Sequence, residues 1–349
     1  MTLLDPSANR VYRQAVATLA AAELAVTAPF ANLIGPARLA GAPAVTWQAD
    51  EVDELVLAAQ SAQLVSFERV GDLLRPLTLP GLRLFDDDLL TIPKYQGKTN
   101  EAFTRMLLHL TLSQISRPGP LSVLDPLAGR GTTLLAAWLA GHHGYGVEAD
   151  ERALDALAGY LKTYLRAKRL KHTAQISPVR RDGRSLGRRL DVGVRLGEAT
   201  SERPARPGLP SLNLTVFSGD AADSAALFGR RRFDAIVTDA PYGVAHGAES
   251  AGRARTGRGG PHRQDAAGRQ RDRSPLGLLT RAIGVWASQL KPGGALGIAW
   301  NTVTVARPVL IELLAGAGLQ VRDEGAWREF AHRVDQAITR DLAVAVRPC

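Results

Sequence analysis

Leu121-Ser122-Val123-Leu124-Asp125-Pro126-Leu127-Ala128-Gly129-Arg130-Gly131-Thr132-Thr133 decides the fold. An apolar run of strand length ends in an acid. Two glycines, 129 and 131, follow, and a helical pattern over Thr132–Ala140 comes next. Glycines at such a turn let the backbone reverse tightly into a helix, and the missing β-carbons let a ligand lie close to the main chain. Asp125, at the strand end, can organise the turn or meet an ammonium group. Glu148 ends the next expected strand, Gly144–Val147, where an acid can accept both hydroxyls of a ribose. Asp220 follows the third strand, Leu214–Phe217, beside Ala221 in Ser218-Gly219-Asp220-Ala221, where an acid can accept an adenine amino proton.

This set predicts a site for S-adenosylmethionine, with Asp125, Ala128, Gly129, Gly131, Glu148, Asp220 and Ala221 around it. A nicotinamide dinucleotide site would want a third glycine at position 134, where Leu134 stands, and no acid before the glycines. A P-loop would need Gly-Lys-Ser/Thr, which is missing. A structural turn without ligand is the remaining alternative.

Outward from this turn the chain alternates strand and helix, which predicts a parallel sheet covered on both faces. Further strands are expected at Ala235–Thr238, Leu296–Trp300 and Asp341–Val346. Helices are expected at Arg152–Lys168, Leu276–Leu290 and Pro308–Ala317, with a short turn near Ala222–Phe228. Before the first strand, a helix begins at Thr99 or Asn100, both good N-caps, and runs to about Ile115. Residues 91–349 therefore read as one domain, with insertions at 172–213 and 247–273. The first insertion carries Asp182-Gly183, a hairpin turn signal. The second is rich in Gly and Arg, has almost no large apolar residue and reads as a loop.

Residues 1–90 read as a separate small α+β module. Helical spacing runs from Asn9 to about Val26, and Pro29, Gly35, Pro36, Gly41 and Pro43 then break the chain. A strand follows at Val45–Trp47, a helix capped by Asp53 over Glu54–Gln60, and strands at Leu64–Glu68 and Leu73–Leu79.

A second motif, Asp239-Ala240-Pro241-Tyr242-Gly243, follows the strand Phe233–Val237. An exocyclic base nitrogen is a poor nucleophile because its lone pair is delocalised into the ring. Two acceptors aimed at its hydrogens pull it toward tetrahedral geometry. Asp239 and the carbonyl of Ala240 can do this, Pro241 fixes the backbone, and Tyr242 can stack on the base. The chemistry expected of the pair of motifs is methyl transfer to a base amine, resting on positioning and electrostatics.

Charge placement points to the partner. The chain carries +9 net, yet residues 166–206 hold twelve Lys or Arg against four acids, and residues 252–273 hold seven Arg against two. These two segments exceed the chain total, so the remainder is net acidic. A surplus this confined, and nearly all arginine, suits phosphate recognition. Arg180, Arg181, Arg184, Arg188 and Arg189 are the expected nucleic-acid contacts. The one cysteine, Cys349, is the last residue, so an internal disulfide is impossible. No stretch approaches the ~20 apolar residues that span a bilayer. With no signal-peptide pattern at Met1–Pro6, a cytoplasmic protein without membrane or metal partners is expected.

The sequence resembles the tRNA guanine-N2 methyltransferase-like family of amino-methyltransferases, in its bacterial subgroup. The resemblance covers residues 91–349. It rests on Lys94–Glu101, Leu124–Thr133, Thr238–Gly243, whose Asp-Ala-Pro-Tyr is similar to an Asp/Asn-Pro-Pro-Tyr motif, and Glu329–Gln336. It implies a Rossmann-like methyltransferase fold whose sheet has about seven mostly parallel strands, the last antiparallel. It also implies that Lys98, Thr99 and Asn100 border the methionine end of the cofactor, and that tRNA is the substrate. Ala240 stands where the family has its first proline. Better-known members carry a THUMP domain before the catalytic one, which residues 1–90 do not match. DNA adenine-N6 and cytosine-N4 methyltransferases use the same motif order and are the alternative. A nucleic-acid-binding protein without catalysis is a second one, against which the intact Asp239, Gly129 and Gly131 argue. His142 and His143 are expected at the surface. His332 with Asp335 could line the substrate pocket, and Trp300 is expected in the core.

Overall fold

The structure is a computed structural model that describes residues 1–5, 10–95, 97–181, 184–199, 208–241 and 274–349. Tyr242, the Asp182-Gly183 turn and the 247–273 insertion lie outside the described residues.

The N-terminal unit is a five-stranded antiparallel sheet with one long and one short helix. Its elements are β1 (Thr2–Leu4), α1 (Arg10–Thr27), β2 (Asn32–Leu39), β3 (Ala42–Gln48), α2 (Glu54–Ala58), β4 (Gln63–Val70) and β5 (Leu73–Pro76), with strand order β2-β3-β1-β4-β5. The expected break between residues 29 and 43 is instead β2. This strand tolerates Pro36 because it lies at the sheet edge, where a missing N–H breaks no inner ladder. Its register shifts between Leu33 and Gly35, and Gly35 takes φ 135° there. The three residues of β1 are too few to show a periodicity. They are held by the Thr2 hydroxyl, 3.0 Å from Ser66 Oγ and accepting from Trp47 Nε1 at 3.0 Å. Asp53 caps α2 as expected, accepting from the N–H groups of Leu55 and Val56.

The larger part begins with α3 (Asp88–Thr91), which straddles residue 90, and α4 (Glu101–Leu112). It continues through β6 (Ser122–Asp125), α5 (Thr132–Leu139), β7 (His143–Glu148), α6 (Glu151–Ala167), β8 (Lys171–Arg181), β9 (Arg184–Arg195), β10 (Ser211–Ser218), α7 (Ser224–Phe228) and β11 (Phe233–Asp239). It closes with α8 (Pro275–Gln289), β12 (Leu290–Asn301), α9 (Arg307–Gly316), β13 (Gln320–Arg322), β14 (His332–Arg333) and β15 (Thr339–Val346). The sheet order is β13-β15-β12-β11-β6-β7-β10-β9-β8, with β14 paired to β15. Strands β12, β11, β6, β7 and β10 are parallel neighbours, and β15 runs antiparallel to both β12 and β13. This is the Rossmann-like core with its antiparallel last strand. The basic hairpin β8–β9 pairs antiparallel with β10, so it lengthens the sheet edge instead of standing away from it.

Alternate strand residues explain the two helical layers. Val123, Val237, Ala299 and Val344 face the core under α4, α5 and α6, which is continuous with the core under α1. Leu124, Ile236, Ile298 and Ala345 face the core under α8 and α9. Helix α4 comes so near β12 that a β-carbon on Gly297 would lie 1.9 Å from Thr111 Oγ1. At the N-terminal ends of the central strands, Asp234 accepts from Ser122 N (2.9 Å), Ser122 Oγ (2.6 Å), Arg117 (2.8 Å) and Lys291 (2.9 Å). Burial alone would raise this carboxyl, but these bonds hold it down at about 2. No helix among the described residues is long and apolar enough to cross a membrane.

Glu23 joins the two parts. Fully buried on α1, it accepts from Ser61 N (3.1 Å) and Ser61 Oγ (2.7 Å), and lies 2.8 Å from His109 Nδ1 on α4. Glu23→Ala would leave those buried groups without an acceptor, so urea denaturation should show a loss of about 3 kcal/mol. A loss within the usual surface range of about 0.5 kcal/mol would contradict this role.

Candidate active site

The glycine turn sits at the C-terminal end of β6, beside the point where the sheet order reverses between β6–β7 and β11–β12, the usual crevice in doubly wound sheets. Gly129 and Gly131 have φ of 53° and 84°, conformations in which an L side chain is strained. A β-carbon on Gly131 would also approach Leu157 to 2.9 Å, whereas one on Gly129 would meet nothing within 4 Å. The space over Gly129 is therefore open. Ala128 N donates to Val147 O at 2.9 Å, and Gly146 gives it room, since a β-carbon there would lie 2.9 Å from that of Ala128. The need for Gly146 is not visible in the motif itself.

Glu148 clamps this turn. Its Oε2 accepts from Gly129 N at 2.6 Å and its Oε1 from Asp150 N at 2.7 Å. Each carboxylate oxygen keeps a second acceptor position. Asp220 is exposed at the end of β10 and accepts from Ala222 N at 2.8 Å, while buried Ala221 accepts through its carbonyl from Trp286 Nε1 at 3.0 Å.

Asp125 is buried, with 3% of its surface exposed. Its Oδ1 accepts from Leu127 N at 3.0 Å and from Thr238 Oγ1, on β11, at 2.7 Å. The two motifs, more than a hundred residues apart, thus share a hydrogen bond. Burial pushes the Asp125 carboxyl up to about 6 despite bonds from Thr238, Leu127 and Thr133 that favour its charge, and the nearby Asp239 adds to the rise.

Asp239 ends β11 and accepts from the Thr99 hydroxyl. Arg340 Nη2 lies 3.8 Å from the same oxygen. Ala240 is buried, and its N–H donates to Ala299 O at 2.8 Å, fixing the peptide that leaves the strand; Pro241 is exposed. Arg340 was not visible as a site residue. It is 5% exposed, and its guanidinium lies over the Phe103 ring at 4.9 Å. The available signal was the pair Arg340-Asp341 inside an otherwise apolar strand, and Asp341 takes a separate partner, Arg307, at 2.6 Å. Phe103 packs on the His332 ring at 5.1 Å, and His332 on Tyr12 of α1 at 6.2 Å. His332 does not pair with Asp335, which instead accepts from Ala337 N. Burial lowers the pKa of His332.

The segment before α4 lies against both motifs. Asn100 caps the helix through bonds from Ala102 N (3.0 Å) and Phe103 N (3.1 Å). Tyr95 Oη is 2.6 Å from Thr132 Oγ1, and Arg130 covers the Tyr95 ring at 4.9 Å. Lys98, expected at the cofactor, instead directs its ammonium to Leu90 O (2.5 Å), Pro93 O (2.7 Å) and Glu101. It braces this segment from within.

Of the arginines expected at nucleic acid, Arg180 is exposed on β8. Arg188 turns to α6 and bonds Asp155 at 2.7 Å, with Glu151 at 3.7 Å. Arg189 bonds Asp191 at 2.7 Å and covers Phe217. Arg181 and Arg184 pair across the hairpin in the backbone, and their side chains lie outside the described part. His142 and His143 are half-buried, not fully at the surface. Their Nδ1 atoms accept from Leu121 N and Asn213 N, and burial lowers both, His142 to about 4. Trp300 is core, donating to Val305 O at 2.8 Å. Among the described residues no group of three or more His, Cys, Asp or Glu could hold a metal ion.

No protein-family model matches the sequence, and no curated protein does. Among solved structures the chain is similar to TrmN from Thermus thermophilus, at 18% identity and a TM-score of 0.39, over 78% of this chain and 54% of that one. The alignment thus spans about half of that protein's length. It is also similar to precorrin-6y C5,15-methyltransferase from Geobacter metallireducens (12% identity, 77% and 98% of the two chains, TM-score 0.36). A third is the N-methyltransferase NodS from Bradyrhizobium japonicum (14%, 71% and 95%, TM-score 0.37). The fold itself stands on strand order and register.

The raised Asp125 carboxyl makes stability fall as pH rises. Below about pH 4 it is neutral in both folded and unfolded chains; toward about pH 6 the unfolded chain loses its proton first, at a cost of roughly 3 kcal/mol to the fold. Asp125→Asn keeps a carbonyl acceptor and cannot ionise. Urea denaturation should show the variant gaining about that much relative to the parent between pH 4 and pH 7. Parallel pH profiles for the two proteins would contradict the assignment.

Proposed function

We propose that this protein is an S-adenosylmethionine-dependent methyltransferase acting on an exocyclic amine of an RNA base, with guanine N2 of tRNA as first choice. The observation that carries the reading is the 2.7 Å bond from Thr238 to Asp125, which sets the Asp239–Ala240 turn directly beside the glycine turn. A cofactor seated on one turn therefore meets an amine held by the other.

The residues present fit this cofactor. The open space over Gly129 admits a nucleoside against the main chain. Glu148 can take two ribose hydroxyls on its remaining lone pairs, and exposed Asp220 can take an adenine amino proton. When bound, the cofactor supplies a methyl group on a positively charged sulfur. Asp239 then has three tasks. It accepts a hydrogen of the substrate amine, draws the nitrogen toward tetrahedral geometry, and offsets the positive charge that develops on it. Thr99 and Arg340 hold its carboxylate in one orientation, with Arg340 as a positioning residue. The Ala240 carbonyl, in the peptide that joins Pro241, serves as the second acceptor, and the bond from Ala240 N–H to Ala299 O ties the start of this turn to β12. A base must leave its stack to enter such a turn.

The basic hairpin supports a nucleic-acid substrate. It lies on the sheet edge next to β10, whose end carries Asp220. Arg188 and Arg189 have internal acid partners, but exposed ion pairs of this kind are worth about 1 kcal/mol or less, so a phosphate can displace the acid. Arg180 is exposed for the same task.

Incubation with methyl-labelled cofactor and bulk tRNA, ribosomal RNA or duplex DNA, followed by nucleoside analysis, tests the substrate. The expected product is N2-methylguanosine in tRNA. Label in DNA alone would overturn the RNA reading, and binding of RNA without label would favour the non-catalytic one. Asp239→Ala should bind cofactor normally and lose about a hundredfold or more in turnover. Equal loss of both would make Asp239 structural. Replacing Arg180 and Arg189 by Glu should weaken RNA binding and reduce its salt slope by about one for each phosphate no longer neutralised. An unchanged slope would remove the hairpin from the interface.

A further inference from the structure

The N-terminal unit meets the wall behind Asp239 through Tyr12 of α1. This buried ring stands edge-on to His332, with 6.2 Å between centroids and 80° between planes. His332 packs on Phe103 of α4 at 5.1 Å, and the Phe103 ring carries the Arg340 guanidinium at 4.9 Å. His332 and Arg340 are also direct partners in the β14–β15 pair, so their side chains leave the sheet on the same face. Four buried side chains from α1, α4, β14 and β15 thus form one cluster, and its last member lies 3.8 Å from Asp239. Two features tie the far end of this cluster to the near one. Strand β14 pairs with β15 over two residues only, so backbone pairing holds His332 weakly and the rings of Tyr12 and Phe103 add to its hold. The approach of Arg340 to Asp239 is longer than a direct charge-assisted hydrogen bond. The direction of the guanidinium therefore depends on what packs against it as well as on Asp239.

We propose that the N-terminal unit takes part in turnover: Tyr12 and His332 are positioning residues that hold Arg340, and through it the Asp239 carboxylate, in the orientation the amine requires. The proposal rests on the methyl-transfer reading given above. Both residues are buried, so they act through Arg340 rather than on the substrate itself. Loss of either ring opens space beside the guanidinium and lets it swing. The acceptor for the amine then shifts, which costs rate. The glycine turn, which shares no residue with this cluster, keeps its hold on the cofactor.

Steady-state methylation with methyl-labelled cofactor and bulk tRNA, ribosomal RNA or duplex DNA tests this, with S-adenosylhomocysteine titration and urea denaturation of the same variants. Tyr12→Leu and His332→Leu keep apolar volume but no ring, and each should lower kcat about tenfold with KM and S-adenosylhomocysteine affinity unchanged. Tyr12→Phe and His332→Phe keep a ring and should restore most of that loss. Where a leucine variant does not fold, the methionine variant at the same position takes its place. Leu57→Ala is the control, in the core of the same unit on α2. It should lose stability and keep the parent kcat at a temperature where it is folded. Unchanged kcat at Tyr12 and His332, or a fall in all variants that follows stability alone, would overturn the proposal and leave methyl transfer in place. No methylation of any of the three nucleic acids by the parent would overturn the methyl-transfer reading, and this proposal with it.

Discussion

The buried Asp125 carboxyl is the constraint on which the site depends. One oxygen takes a backbone N–H from the glycine turn and a hydroxyl from β11, and so fixes two loops against each other at the strand tips. A carboxylate in that position is costly, and its raised pKa records the cost. The cost is tolerated because the alternative is two loops free to move independently. At the opposite strand ends buried Asp234 performs the mirror task with four donors, and there the bonds from Ser122, Lys291 and Arg117 outweigh burial and favour its charge. One acid closes the base of the sheet, and the other sets the geometry of its open end.

Around Asp125 the site is assembled from segments distant in sequence. Glu148 closes the glycine turn from β7, Thr99 reaches Asp239 from the entry to α4, and Arg340 reaches it from β15. Phe103 and His332 carry the packing back to Tyr12 on α1. The N-terminal unit is therefore in contact with the wall behind Asp239, and buried Glu23 fixes that contact at its other end. Precision of this kind is what positioning catalysis requires, since small displacements of an acceptor cost rate steeply.

Much of this was legible in the sequence, for identifiable reasons. Strong alternation of apolar strands and amphipathic helices gave the doubly wound core, and the glycine, acid and N-cap signals are local and fell where expected. What was hidden is non-local. Edge placement lets β2 keep Pro36, which reads as a break in one dimension. Pairing of β9 with β10 is set by Leu190, Val192 and Val194 packing under α6, so a hairpin that reads as an insertion becomes part of the sheet. Lys98 looks like a cofactor ligand by its place in a motif, but nearby carbonyls and Glu101 capture its ammonium. Arg340 reads as an interruption of an apolar strand, and only the fold brings it to Asp239.

The central claim is that Glu148 and the glycine turn form a nucleoside site next to Asp239. Calorimetric titration of S-adenosylhomocysteine into the parent protein and into Glu148→Ala tests it most directly. The account predicts saturable one-to-one binding to the parent, weakened about tenfold or more in the variant through the loss of two charge-assisted ribose bonds. Absence of binding to the parent, or equal binding to both proteins, would contradict it.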